Sequence, residues 1–192
     1  MGRLPWLLIR RTNGFDTVPS DPIIPTSFFE RPVLEICPEL IGHFLVINSA
    51  EGEVRKEITE IEAYDGPEDL ACHASKGRTA RTEVLYGPAG SWYIYLCYGV
   101  HWLLNVVTGP KDYPAAILIR GLGEWNGPGI LTRELMIDKR FNTKAATFAT
   151  GLWFEYNASR SQPYPFSTGP RIGVDYAGEW AAKPYRYLKS GD

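Results

Sequence analysis

A single α+β domain, built on a curved and mainly antiparallel β-sheet with flanking helices and one protruding hairpin, is what the sequence predicts. Three observations support this. The chain has 192 residues, enough for one buried core and short for two at about 100–200 residues per domain. Five segments between His43 and Arg120 are rich in β-branched and aromatic residues and read as strands. Apolar residues at helical spacing flank that block on both sides.

Taken in order, residues 1–25 carry Arg10-Arg11, Asn13-Gly14, Pro19, Pro22 and Pro25 without an apolar period, so a flexible tail is expected ahead of a domain spanning 26–192. Val33, Ile36, Leu40 and Ile41 then fall near helical spacing, with Gly42 as the expected C-terminal cap and Pro38 disturbing the middle. His43–Ile47 and Ile58–Ala63 read as strands around a turn at Ala50-Glu51-Gly52. Ser91–Tyr98, Leu103–Val107 and Ala115–Arg120 are three more, and Gly99 makes a hairpin with its tip between Tyr98 and Trp102 the simplest link between the first two. Gly127-Pro128-Gly129 opens a short helix through the i,i+4 pair Leu131 and Leu135, ending near Asp138. From Thr143 to Pro170 the pattern is turn-rich and assigns no element.

Hydrophobic residues make up 44% of the chain and charged residues 22%, as in ordinary globular proteins, and no apolar run approaches the ~20 residues that cross a bilayer as a helix. No membrane partner is expected. Cys37, Cys72 and Cys97 are too few and too scattered for a disulfide framework, which fits a reducing compartment. Cys72-His73 and Cys97-x-x-x-His101 lack the paired short spacings of a closed zinc site, so neither a metal nor another cofactor is expected. The net charge of −2 speaks against a nucleic-acid partner, yet phosphate affinity depends on a local basic patch rather than on the total.

Residues able to carry chemistry crowd between Glu60 and Arg120. Glu60 and Glu62 end a strand and lead into a turn bearing Tyr64 and His73, one way to build an aromatic pocket around a base. On spacing alone, a solvated strand face with one packed aromatic is the commoner outcome. Lys76-Gly77-Arg78-Thr79-Ala80-Arg81-Thr82 is a basic loop whose cations and hydroxyls suit phosphate oxygens, or else an ordinary charged surface loop. Along Trp92–Tyr98, alternation puts Tyr93 and Tyr95 on one face, while Tyr98 reaches the hairpin tip, where an exposed ring could hold open the gap left by an extruded nucleotide. Trp92 and Tyr93 are expected in the core.

Set out in order, Glu62-Ala63-Tyr64, His73, Gly77-Arg78-Thr79-x-Arg81-Thr82, Tyr86-Gly87-Pro88-x-Gly90, Tyr93-Ile94-Tyr95-x-x-Tyr98-Gly99, Asn105-Val106-Val107 and Leu118-Ile119-Arg120 resemble the 3-methyladenine (alkyladenine) DNA glycosylase family. Weaker agreement at Phe29-x-Arg31-Pro32, Gly127-Pro128-Gly129 and Gly169-Pro170-Arg171-Ile172-Gly173 extends the resemblance over roughly residues 28–187. It implies a monofunctional hydrolase of base-excision repair that flips a damaged purine out of double-stranded DNA and cuts its N-glycosidic bond with water. It implies Glu62 as the general base, with Arg120 near that carboxylate and the water. Tyr64, His73 and Tyr95 would enclose the flipped base, Asn105 would crowd the guanine 2-amino group, and Tyr98 would intercalate. Lys76, Arg78, Arg81 and Thr82 are the expected contacts to the DNA backbone. A monomer is expected, in a bacterial cytoplasm or, for a eukaryotic protein, the nucleus.

Two departures stand out. The segment 121–126 is short for the family, and Ile130 occupies the place where lysine usually follows Gly-Pro-Gly, which should weaken a backbone contact. The alternative reading is a non-catalytic lesion-binding protein on the same scaffold, against which the retained Glu62 counts. A sugar-cleaving protein using Glu60 and Glu62 is a further rival, against which the basic loop counts.

Overall fold

The computed structural model describes residues 21–159 and 164–190. Helix α1 (Val33–Leu40) buries Val33, Ile36, Cys37 and Leu40, the i, i+3, i+4, i+7 set of one helical face. Pro38 lies inside it. In so short a helix the one backbone hydrogen bond that proline forfeits is outweighed by the buried face. Gly42 then takes a left-handed conformation (φ +83°) and donates its N–H to the Ile58 carbonyl at 2.9 Å, turning the chain into the sheet.

Among the described residues nine strands form that sheet: β1 (Phe44–Ser49), β2 (Gly52–Asp65), β3 (Trp92–Cys97), β4 (His101–Thr108), β5 (Ala115–Leu122), β6 (Trp125–Asn126), β7 (Leu152–Glu155), β8 (Phe166–Gly169) and β9 (Arg186–Lys189). The order is β3-β4-β5-β2-β1-β7, with β6 folded back on β5 and the β8–β9 pair attached to β2. All the pairings are antiparallel. The class expected from the sequence is therefore the one observed. No described helix is long and apolar enough to cross a membrane.

Strand β2 begins well before the expected Ile58, because residues 52–57 pair with β1 across the two-residue turn Ala50–Glu51. Their charges conceal a strand in the sequence. In the fold those charges are matched: Arg55 meets Glu155 at 2.9 Å, Lys56 meets Glu124 at 2.6 Å and Glu57 meets Lys189 at 2.8 Å. Strand β7, fully buried, falls in the stretch left unassigned; its four residues are too few to show a period. The expected tail also ends sooner than Pro25. Ile24 is buried and bonds the Phe154 carbonyl at 2.9 Å, and Ile23 bridges to Glu155, so residues 21–25 are anchored beside β7. The rest of that expectation, residues 1–20, lies outside the described residues.

Strands β2 to β5 divide their side chains by face. Ile61, Trp92, Ile94, Leu104, Val106, Ile117 and Ile119 enter the main core with Phe29, Phe154 and Leu131 of helix α2 (Pro128–Glu134). The alternate residues point away from it. The alternation breaks once in each central strand: Ile58 and Ile61 both reach the core, as do Ile119 and Leu122, although the members of each pair are an odd three positions apart. Pairing slips past Thr59 in β2 and past Arg120 in β5, two opposed bulges that cancel. Gly121 lies at this crossing, where a Cβ would stand 2.7 Å from Thr59 Oγ1 and 3.0 Å from Glu60 Cβ.

Helix α2 stops at Glu134, short of the expected Asp138. Met136 takes a positive φ of 51°, and Asp138 caps the next turn instead, accepting the Arg140 N–H at 2.8 Å. The short 121–126 segment closes as a tight hairpin in which Leu122 faces Trp125.

Substituting Gly42 by Ala combines a left-handed residue with a Cβ only 2.8 Å from the Tyr164 ring. We expect a loss of at least about 1–2 kcal/mol in unfolding free energy, read from the denaturant midpoint.

Candidate active site

The sheet face turned away from the core forms one wall of a cavity of about 680 Å³, inside the ~300–1,000 Å³ usual for small-ligand sites. Residues 71–73 with Arg81 and Leu85, helix α2 from its start to Arg133, and residues 172–174 with Tyr176 contribute the rest of its lining.

Glu62 is completely buried on this face. Its Oε2 accepts the Tyr64 hydroxyl at 2.8 Å, its Oε1 accepts the Ile172 backbone N–H at 2.8 Å, and Arg120 Nε lies 3.3 Å from Oε1. Burial pushes the carboxyl above the ordinary carboxylate range; Arg120, the Ile172 N–H and the Tyr64 hydroxyl pull it back, while Glu60 adds to the rise. Tyr64, Arg120 and Ile172 themselves line the cavity, so Glu62 sits directly behind its wall. A carboxylate offers about four lone-pair sites, and these three neighbours leave room for another donor.

Much of the remaining lining is aromatic. His73 stands at the start of a 3₁₀ turn, its ring edge-on to Tyr95 with centroids 4.7 Å apart, and its Nδ1 is 2.8 Å from the Tyr93 hydroxyl. Burial, with the nearby Arg81 and Lys76 charges, pushes the imidazole down to about 4. It is therefore neutral at physiological pH, with one nitrogen a donor and the other an acceptor. Asn105, from β4, is held rigidly: its Nδ2 donates to the Tyr93 and Leu103 carbonyls at 3.0 and 3.3 Å.

Tyr98 is 96% exposed at the tip of the β3–β4 hairpin, with Leu96 and Val100 also exposed beside it. The three-residue tip, Tyr98 to Val100, is tighter than the expected Tyr98–Trp102. Tyr98 itself is left-handed, with φ 50°. That conformation costs a non-glycine residue about 1–2 kcal/mol and aims the ring outward.

The structure thus brings Glu62, Tyr64, His73, Tyr95, Asn105 and Arg120 around one cavity, with Tyr98 at its mouth. The basic loop divides. Lys76 is exposed. Arg81 reaches the cavity, its guanidinium 4.8 Å from the Tyr95 ring centroid. Arg78 is already occupied by Glu83, at 2.6 and 2.8 Å, and by Asp112 at 3.3 Å. Thr82 departs from expectation: it is 3% exposed, and its hydroxyl donates to the Gly77 carbonyl and accepts the Thr79 N–H, so it braces the loop from inside instead of facing phosphate.

Several contributors escape sequence reasoning. Tyr93 is buried as expected, yet it is buried on the cavity side, under His73. The Ile172 N–H is backbone and leaves no residue signature. Arg171 and Asp69 form a fully buried bidentate pair at 2.5 and 2.8 Å; Arg171 also donates to the Ala63 carbonyl and lies over the Tyr64 ring. That clamp fixes both Tyr64 and the neighbouring Ile172. Among the described residues no three His, Cys, Asp or Glu side chains are grouped as a metal would require.

Comparison with known proteins agrees with this geometry. The family model described as methylpurine-DNA glycosylase matches residues 27–125 and 123–192. A Myxococcus xanthus protein provisionally named 3-methyladenine DNA glycosylase is 42% identical over 177 residues, covering 85% of this chain and 88% of that relative. Proteins with the same provisional name from Legionella pneumophila (strain Corby) and Methanocella arvoryzae are 39% and 38% identical, covering 85% and 86% of this chain and 92% of each relative.

Asp69→Ala would leave Arg171 charged and buried without its partner, and should remove about 3–5 kcal/mol of stability in chemical denaturation. For His73, NMR titration should find the ring neutral until the pH approaches about 4. Arg81→Gln removes a repelling charge, so the midpoint should move to higher pH; an unmoved midpoint would refute the coupling.

Proposed function

This chain belongs to the methylpurine-DNA glycosylase family, and on that premise we propose that it hydrolyses the bond between a damaged purine and its deoxyribose in double-stranded DNA. The observation that carries the reading is a fully buried carboxylate, Glu62, set directly behind an aromatic cavity whose mouth bears an exposed tyrosine.

The nucleotide rotates out of the duplex into the cavity, at a cost of a few kcal/mol that is least for damaged or poorly paired bases. Tyr98 enters the space it vacates. Stacking on Tyr64, His73 and Tyr95 returns about 1–3 kcal/mol, and a purine made cationic by alkylation gains about 0.5–2 kcal/mol more from the aromatic faces. These terms nearly cancel for a normal base, so small differences decide which nucleotide stays flipped. Asn105, unable to swing aside, excludes the extra amino group of guanine. Lys76 and Arg81 draw the phosphates in, whereas Arg78 would first have to leave its acidic partners.

In the chemical step Glu62 takes a proton from water as the water oxygen bonds to C1′. The C1′–N bond breaks and its electron pair leaves with the purine, neutralising an alkylated base. The Glu62 charge also stabilises the oxocarbenium-like carbon. Water, not a side-chain amine, is the nucleophile, so the strand is left uncut. One chain carries the whole site, and a monomer suffices.

The test is release of free base from duplexes carrying 3-methyladenine, 7-methylguanine, 1,N6-ethenoadenine or hypoxanthine. Glu62→Gln should lose about 10²–10⁴-fold in rate while still binding lesion DNA; full activity in that variant, or no release by the wild type from any lesion, would sink the reading. Tyr98→Ala should weaken lesion-duplex binding in a titration while leaving the cavity intact. Because protonated Glu62 cannot accept a proton, activity should fall on acidification starting above the pH at which an ordinary glutamate titrates.

A further inference from the structure

Glu60 shares the cavity-side face of β2 with Glu62, and it is nearly buried. The paired bulges at Thr59 and Arg120 make β5 approach it closely: Gly121 stands opposite Glu60, where a side chain would collide with its Cβ. At that point Arg120 donates its Nε–H to Glu60 Oε1 at 3.0 Å. Glu62 Oε1, at 3.3 Å, receives the attraction of the charge but not that hydrogen bond. A second cation, Arg186 Nε from β9, lies 3.1 Å from the same Glu60 oxygen. Two carboxylates and two guanidinium groups thus form one chain in which the inner arginine is pulled toward the acid that the reaction does not use.

Resting on the reading of Glu62 as general base, we infer that Glu60 is a positioning residue: it holds the Arg120 guanidinium between two carboxylates and so keeps Glu62 from closing into a tight ion pair with it. A carboxylate locked onto arginine is a poor proton acceptor, because a neighbouring Arg lowers the pKa of an acid by about 1–3. The groups facing Glu62 are Glu60 and Tyr64 on its own strand, Arg120 from β5, Arg186 from β9, and the Ile172 N–H with Arg171 and Asp69 behind Tyr64. Among these Glu60 is the one acid in ion-pair contact with Arg120 besides Glu62 itself.

Two variants move the chain in opposite directions. Glu60→Gln removes the competing acid, so Arg120 passes to Glu62. Arg186→Gln removes the outer cation, so Glu60 holds Arg120 more firmly, and Glu62, with less of that cation's support, takes up a proton more readily. Single-turnover base release by the full chain, measured against pH, should show the acid limb about one pH unit lower in Glu60→Gln. On that limb the variant should retain about tenfold more of its own plateau rate than the wild type. In Arg186→Gln the limb should move to higher pH. Limbs that superimpose on the wild type in both folded variants, with only a uniform loss of rate or melting temperature, would show Glu60 to be a structural counter-ion and overturn the inference. If Glu60→Gln does not fold, Arg186→Gln decides, since that residue is partly exposed. Should the wild type release no base from any lesion, the functional reading fails separately, and a ¹³C NMR titration of the Glu62 carboxyl carbon tests the same two displacements without DNA.

Discussion

The Glu62 carboxylate has no contact with solvent, and an ion in that position is tolerated only where donors replace the water it has lost. Here they come from three parts of the chain far apart in sequence: Tyr64 on its own strand, Arg120 on β5, and the backbone of Ile172. Each must arrive at the right place, and each is fixed by something else. Arg120 is placed by the bulge in β5 and by Glu60. Tyr64 and Ile172 are placed by the buried Asp69–Arg171 pair, which joins the end of β2 to the segment after β8. Two of the other buried ion pairs, Glu60–Arg120 and Asp69–Arg171, thus support the groups that surround that carboxylate.

The aromatic wall obeys a different constraint. Under the proposed function it must be rigid enough to select and open enough to admit a base-sized group. Tyr93, His73 and Asn105 achieve the first by bonding one another or the strand backbone, so that no ring or amide can yield independently. The mouth achieves the second by leaving Tyr98, Val100 and Tyr176 largely in solvent. Such exposure of apolar surface is unfavourable unless the surface meets something.

Much of this could be read from residue order. Alternation in Trp92–Cys97 and Ala115–Ile119 separates core from cavity, and Tyr64, His73, Arg81, Tyr95, Tyr98, Asn105 and Arg120 all line that cavity, with Glu62 behind its wall. What sequence reasoning missed has physical causes. The first half of β2 is polar because its charges are paired across neighbouring strands, and a pattern search reads such charges as solvated. Thr82 looks like a phosphate ligand because a hydroxyl has the same identity whether it faces outward or braces a turn. Ile172 contributes through its N–H, which every residue but proline possesses. The bulges did leave a trace: Ile58 with Ile61 and Ile119 with Leu122 interrupt the two-residue period.

Those bulges constrain how the chain can change in length. In a sheet with a core on one face and a cavity on the other, adding or deleting one residue inside a strand exchanges the two faces beyond that point. A lone insertion in β2 would turn Glu62 into the hydrophobic core and an isoleucine into the cavity. The two register shifts lie opposite each other, one in each strand, and together they restore the alternation on both sides. They have the form of a matched pair of insertions, neither of them tolerable alone. Length variation among relatives should therefore collect in the turns at 50–51 and 123–124 and spare the strands between Ile58 and Leu122, so that an alignment gap placed within β2 or β5 is more plausibly an alignment error than an event in the family's history.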